Sequence, residues 1–535
     1  MFSPFDILLR PLVELVALLV GVGLLSLCGG VVFAVGLRLR NLRWTWGAVP
    51  MVPSMLVAVV SIWPALVGLG VCFVACLVGM VWQSQDLIVG GDRGEAARSR
   101  TGMLHAAQIA YERWQAKRGA RGWVHDGRLE VGVDTHGGRV TIPAGGESGS
   151  HTLILGATGS GKTSGQAWIA GRLIEEGYGA VVIDPKGDEL LRDGLREVAE
   201  AAGAPFLGWS PCGPLGYNPY AHGTDTEIAD KALSGEVFTE PHYLRQAQRY
   251  LGHAVRTMRG AGVEVTAASL MAHMNPEQLE QTAKRLPAEH KQVLHEYLDS
   301  LSERRRYDLS GVRDRLSILA ESDVAPWLDP GAAGGTIDLA QGLRCRSVVY
   351  FELDADRRPL LAQMLAGAIV GDLIALAASP AEQRVATVVA IDEFSGIGAS
   401  QIVRLFARGR SAGMSLVLAT QELADLDAAG DGALRDQVLG NVEAVIAYRQ
   451  NVPSSAALIS EVGGMRPAWI TTQSMSPPLL GHGTPGSAFR RRGQEPIVDP
   501  SRVKRLGTGE AVVIAPGSGR SPSLTRMHHP KEARR

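Results

Sequence analysis

Cysteine is scarce, with 5 in 535 residues. Cys28, Cys72 and Cys76 fall in apolar stretches and Cys212 and Cys345 stand alone, so a disulfide framework is excluded and a reducing compartment fits. Cys72-x3-Cys76 has no histidine or further cysteine nearby and reads as packing rather than a metal site. A dominant charge is also missing: 53 Lys and Arg balance 54 Asp and Glu, for a formal net charge of −1. A global polycation is excluded, and any nucleic-acid contact must come from local basic patches. Internal repeats are absent too, which argues against a solenoid or a propeller. The length exceeds what one hydrophobic core organises, so several domains are expected.

Long apolar runs, by contrast, are present and confined to one end. Residues 12–37 are almost wholly apolar, more than the ~20 residues a bilayer span needs. No convincing cleavage site follows, so this reads as an uncleaved anchor. Arg38, Arg40 and Arg43 come next, and apolar sequence resumes from Trp46 to Trp82, divided by Trp63-Pro64. Residues 1–83 therefore form an anchor of two or three helices. Three spans are favoured, because they place the arginine loop and the soluble part inside and the N-terminus outside, whereas two would put the arginines outside.

The stretch that organises the rest is His151-Thr-Leu-Ile-Leu-Gly-Ala-Thr-Gly-Ser-Gly-Lys-Thr163. An apolar strand runs into Gly156, Ala157, Thr158, Gly159, Ser160 and Gly161, and Lys162-Thr163 opens a helix. This is a P-loop in its required strand–loop–helix context. Its backbone N–H groups suit phosphate, Lys162 suits the terminal phosphates of ATP, and Thr163 suits Mg²⁺. A second buried strand ends in Asp184-Pro-Lys-Gly-Asp188, and Asp184 is grouped with the nucleotide-binding residues.

Strand and helix patterns alternate on both sides of a charged, helical stretch. The expectation is an α/β fold: a P-loop NTPase domain with a parallel-rich sheet, an inserted all-α domain and N-terminal transmembrane helices. The boundaries read as a connector at 84–124, the first part of the NTPase at 125–225, the inserted domain at 226–330, the second part at 331–516, and a disordered basic tail at 517–535. Residues 128–142 read as a hairpin turning at Gly137-Gly138.

Thr387-Val-Val-Ala-Ile-Asp392-Glu393 is a hydrophobic strand ending in two acids. Beside the P-loop, Asp392 would join Thr163 on Mg²⁺, and Glu393 would orient and deprotonate the attacking water. The next strand ends at Gln421, which suits either a γ-phosphate sensor or a helix cap. Arg408 and Arg410 suit a neighbouring active site, DNA phosphate or solvent. The Arg304-Arg-Arg306 cluster, with Arg313 and Arg315, reads as a solvated helix face or as a contact for DNA or a relaxase.

These residues, taken with further blocks in order, resemble the type IV coupling proteins, the TraG/TraD-type conjugative DNA-transfer ATPases. The blocks are Asp184-Pro-Lys-Gly187, Trp209-Ser-Pro211 with Tyr217-Asn-Pro219, Asp392-Glu-Phe394, Gly409-Arg-Ser-Ala-Gly413, Gln421, Gly440-Asn441, Gln450-Asn-Val-Pro-Ser-Ser-Ala456 and Glu461-Val-Gly-Gly464. The resemblance implies a RecA-like motor domain with ATP and Mg²⁺ as cofactors, in a homohexamer that moves single-stranded DNA. It implies partners among relaxase or relaxosome proteins and type IV secretion channel components, with the motor on the cytoplasmic side of the inner membrane. It also implies that Arg410 acts in trans. The chain departs from the family in having a short arginine loop, not a sizeable external segment, between its first apolar spans. Alternative readings are an FtsK- or HerA-like DNA translocase, or an ATPase for protein-only secretion.

Overall fold

The protein is described here from a computed structural model covering residues 4–39, 66–78, 122–135, 137–234, 240–331, 334–380, 384–394, 399–428, 433–475, 485–518 and 521–534. The chain divides into two units, residues 1–117 with 466–495, and residues 118–465 with 496–535.

The strands, in chain order, are β1 (Val124–His125), β2 (Arg128–Asp134), β3 (Arg139–Pro143), β4 (Thr152–Leu155), β5 (Gly179–Asp184), β6 (Phe206–Trp209), β7 (Val348–Glu352), β8 (Thr387–Ile391), β9 (Met414–Thr420), β10 (Ala444–Ala447), β11 (Met465–Met475), β12 (Pro485–Pro496), β13 (Glu510–Ile514) and β14 (Ser523–Met527). Within the larger unit, β10-β4-β9-β8-β5-β7-β6 are hydrogen-bonded in that order, all parallel. Beyond β10 the sheet continues antiparallel through β13, β14 and β2, which also pairs with β1 and β3. The hairpin expected at 128–142 is β2–β3.

Strands β4, β5, β8 and β9 are buried at every residue. Their unbroken apolar runs follow from helices covering both faces of a parallel sheet. Alternate side chains supply two cores. Ile154, Ala180, Val182, Val388 and Ala390 pack against the helices Lys162–Glu175 and Glu189–Ala201, through Trp168, Leu173, Leu191 and Leu195. Leu153, Leu155, Val181, Ile183, Val389 and Ile391 face the helices Pro359–Ala377 and Ala399–Gly409. The helix Pro359–Ala377 is apolar enough to cross a membrane, but 67% of its apolar window is buried, and it serves as a core helix.

The inserted stretch is helical, as expected. Its helices run from Asp225–Ala232 to Ser310–Ala320. Tyr250, Leu251, Leu294 and Leu316 continue the second core into it.

Two expectations are corrected. The strand carrying Asp392 is not the neighbour of the P-loop strand, because β9 lies between them. The strand that follows β8 in sequence, β9, inserts between it and β4. The tail from 517 is not disordered: it supplies β14 and a short 3-10 turn, Pro530–Arg534. Ser523-Leu-Thr-Arg-Met alternates, with Thr525 and Met527 inward, and polar composition hid a strand whose partners are β13 and β2. His528 then sits between Glu130 and Glu532 at 3.0 and 2.9 Å, against the rings of Trp123 and Trp168.

In the smaller unit the helix Pro4–Leu39 contains Leu15–Val35, a stretch long and apolar enough to cross a membrane. A shorter apolar helix, Leu66–Val78, packs against it through small residues. Ser26 Oγ donates to the Val67 carbonyl at 3.3 Å, and Ala34, Cys72 and Ala75 are buried. Such close approach is how helices associate where lipid removes the hydrophobic drive. The expected middle span and residues 84–121 of the connector lie outside the described residues. Strands β11 and β12 form a separate two-stranded sheet.

Candidate nucleotide site

The P-loop strand β4 lies between two strands that follow it in sequence, β9 and β10. This is a switch point, and ligands of open parallel sheets bind there at the carboxyl ends. The loop is held from three sides before any ligand arrives. Gly156 N reaches the Thr420 and Gln421 carbonyls (3.3 and 3.2 Å), Ala157 N reaches Arg449 O (3.0 Å), and Gly509 N donates to Ser160 O (3.0 Å). Thr508 Oγ1 adds a bond to Gly159 O at 3.3 Å.

Gly161, the residue before the helix, has φ 111° and the helix has no side-chain cap. Its first-turn N–H groups are therefore not taken by a side chain, as an anion site requires. Tyr448, at the end of β10, lies directly beneath: a Cβ on Gly156 would come within 2.9 Å of the Tyr448 Cβ. Only glycine lets the loop close over that ring. The Ser160 hydroxyl is buried without a hydrogen-bond partner. The cradle, the uncapped helix and Lys162 together fit a nucleoside triphosphate. Thr163, half-buried on the first turn, and the nearby Asp392 fit its Mg²⁺.

Two of the expected residues, Lys162 and Gln421, converge on the carboxylate of a third, Glu393. Glu393 Oε1 accepts from Lys162 Nζ at 2.8 Å and from Gln421 Nε2 at 3.1 Å, and Asp392 Oδ1 lies 3.7 Å from the same lysine. The Gln421 amide thus reaches Glu393 across the sheet, while Glu422 N donates to Asp425 Oδ2 at 2.9 Å. Glu393 has φ 44°, a left-handed conformation unusual for a residue with a side chain. Strain of this kind, of order 1–3 kcal/mol, persists where surrounding bonds over-determine it; here Glu393 N also donates to Asp392 Oδ1 at 3.0 Å. Burial pushes the Glu393 carboxyl up, but hydrogen bonds from Lys162, Lys186 and Gln421 outweigh it and hold the group below the usual range. For Asp392 burial prevails over the pull of Lys162 and its carboxyl is raised.

Lys186 was not anticipated. Its Nζ lies 2.9 Å from the same Glu393 oxygen. The only sequence signal was a lysine placed just after a strand-terminal Asp-Pro. Asp184 is fully buried and faces its own loop: it accepts from the N–H groups of Lys186, Gly187 and Asp188 and from the Tyr350 hydroxyl. Its contacts are thus to the segment that presents Lys186.

Arg410 is not in this site. It lies before β9, whose other end carries Gln421, roughly 20 Å away at ~3.3 Å per residue. It is exposed and paired with Glu443. Arg408 is exposed too.

Residues 386–508 match the family model described as the TraM recognition site of TraD and TraG. Residues 137–190 match that of the central domain of helicase HerA. The unbound form of the bacterial conjugative coupling protein TrwBdeltaN70 is similar at a TM-score of 0.56 and 17% identity, over 78% of this chain and 91% of that one. TrwB in complex with the GTP analogue GDPNP gives 0.55 at 17% identity, over 78% and 92%. VirB4 of Thermoanaerobacter pseudethanolicus gives 0.50 at 14% identity, over 77% and 100%. No curated protein matches. The fold is that of a TrwB- and HerA-like P-loop NTPase. Residues 386–508 share with TraD and TraG the region described as their TraM recognition site.

Proposed function

We propose that the protein is a membrane-anchored ATPase motor that moves single-stranded DNA, delivered by a relaxase and its relaxosome partners, to a type IV secretion channel. The observation that carries the hydrolytic part is the convergence of Lys162, Asp392, Glu393 and Gln421 beside a preformed P-loop. ATP with Mg²⁺ supplies the bond to be cleaved and neutralises phosphate charge. Thr163 and Asp392 would hold the metal, and Lys162 and the loop N–H groups the phosphates. For that, Lys162 exchanges the Glu393 carboxylate for phosphate oxygen. All three described donors to Glu393 reach Oε1, which leaves Oε2 to orient and deprotonate water, a role worth about 10²–10⁴ in rate. Gln421, bonded to the same carboxylate, ties β9 to the state of the γ-phosphate.

The DNA-transfer part rests on the likeness to TrwB, a conjugative coupling protein, and the relaxosome partner on the TraM-recognition model. Membrane anchoring rests on the helix Pro4–Leu39, and a multi-pass anchor in the inner membrane with a cytoplasmic motor is the arrangement we favour. A homohexamer with Arg410 acting in trans is compatible with its position, because a guanidinium at the far end of β9 is too distant from its own chain's P-loop to serve it. Such fingers are worth about 10³-fold or more.

ATP turnover of the full chain, with and without single-stranded DNA, tests the reading. Lys162→Ala abolishes turnover, and DNA raises the wild-type rate. Turnover indifferent to DNA would favour an ATPase of protein-only secretion. Arg410→Ala and Lys162→Ala, each inactive alone, regain turnover when mixed in one ring. No recovery in rings shown to exchange subunits would refute the trans role.

A further inference from the structure

We infer that Lys186 is a positioning residue for hydrolysis: a second cation, fixed by the Asp184 loop, that keeps Glu393 aimed when Lys162 leaves it for the phosphates. The inference rests on the hydrolytic reading above. Lys162 alone has two calls on its charge, since it pairs with Glu393 at 2.8 Å and must also bind phosphate. When it moves, Glu393 would keep only the neutral Gln421 amide among those two donors. The carboxylate sits on a left-handed backbone at the mouth of the site, and an unheld side chain there would lose its direction. Lys186 prevents this, 2.9 Å from the same Oε1.

The loop beneath Lys186 is built for the purpose. The next strand over from β8 is β5, and it ends in Asp184, which is fully buried. One Asp184 oxygen accepts from Lys186 N and Gly187 N, both at 2.9 Å, and the other accepts from Asp188 N at 2.6 Å and from the Tyr350 hydroxyl. Asp188 in turn caps the helix Glu189–Ala201, accepting from Leu190 N and Leu191 N. Gly187, at φ 76°, turns the chain where a Cβ would meet the Glu352 side chain at 3.0 Å. Lys186 is thus the one residue of the loop with a long, charged and half-exposed side chain, on a backbone with little freedom. A lysine serving only solubility needs no such mount.

The test uses the full-length protein in detergent, with kcat and KM for ATP and the equilibrium affinity for a non-hydrolysable ATP analogue. Lys186→Met lowers kcat ~10–100-fold, the scale of a slightly misplaced reacting group, with KM and analogue affinity changed less than ~3-fold. Lys186→Arg, which keeps the cation, recovers most of the rate. In a Glu393→Gln background Lys186→Met adds nothing further, since residues acting through one another are not additive. An unchanged kcat in Lys186→Met overturns the inference. So does a multiplied effect in the double variant, or a tenfold loss of analogue affinity, which would make Lys186 a phosphate ligand. If Glu393→Gln alone hydrolyses at the wild-type rate, the hydrolytic reading itself fails, a distinct result.

Discussion

Two lysine–carboxylate clusters in the motor differ in how completely they are satisfied. At Asp372, on the helix Pro359–Ala377, each oxygen has its own donor: Lys231 Nζ at 2.7 Å on Oδ1 and the Tyr217 hydroxyl at 2.5 Å on Oδ2. Lys231 also donates to the His222 carbonyl at 2.5 Å, and both side chains of the pair are only 4% exposed. At Glu393 three donors crowd one oxygen, the backbone is left-handed, and Lys186 on the rim is 45% exposed. The first cluster joins the opening helix of the inserted domain, Asp225–Ala232, to the motor. A buried cluster in which each oxygen has its own donor is fixed structure. One with a spare oxygen and a lysine wanted elsewhere is ready for a ligand.

Breaking the saturated cluster has the largest effect. Asp372→Ala leaves Lys231 buried and unpaired, a loss of about 3–5 kcal/mol, to be read in denaturant unfolding of the larger unit. Burial already raises the Asp372 carboxyl against the pull of Lys231, and desolvating an ion pair costs much of what its attraction returns. Lys231→Met with Asp372→Leu therefore restores most of the loss; a double variant as unstable as Asp372→Ala would contradict this.

Glu393→Gln sits at the other pole. It slows turnover by ~10²-fold or more while retaining nucleotide, and leaves the unfolding midpoint close to wild type. A large stability loss there would mean the two clusters do the same job.

The smallest effect is expected at His528, between Glu130 and Glu532. Burial lowers its pKa, but hydrogen bonds to both carboxylates outweigh it and the net is upward. The charged imidazole is thus favoured by folding. Its contribution is whole below the ordinary value of about 6.5 and fades as pH rises through the raised folded value. Thermal unfolding of wild type and His528→Gln, compared at pH 6 and pH 8.5, shows a gap that narrows at the higher pH. A gap that widens would reverse the assignment.

Much of the site was legible because its chemistry is carried by residue type at fixed spacing. The P-loop needs glycines, Lys162 and Thr163 next to a strand, and the acids must end another strand. Lys186 escaped because a lysine after Asp-Pro says nothing of its direction until Asp184 is seen to pin the loop. Arg410 was legible only as one of two arginines suited to a neighbouring site, DNA phosphate or solvent, and only the sheet places it at the end of β9 away from the P-loop. β14 was missed because Ser523-Leu-Thr-Arg-Met is too short and polar to declare a strand without its partners.

By itself, then, the sequence determined the class of chemistry, the parallel sheet, the helical insertion and an apolar anchor segment, since each follows from local periodicity or a contiguous motif. Tertiary structure alone decided that β9 separates β4 from β8, that the last strand closes beside β2, and that Lys186 and Gln421 meet on Glu393. Those are matters of strand order and of side chains meeting across distant segments. They depend on which surfaces pack best, and no local pattern encodes that.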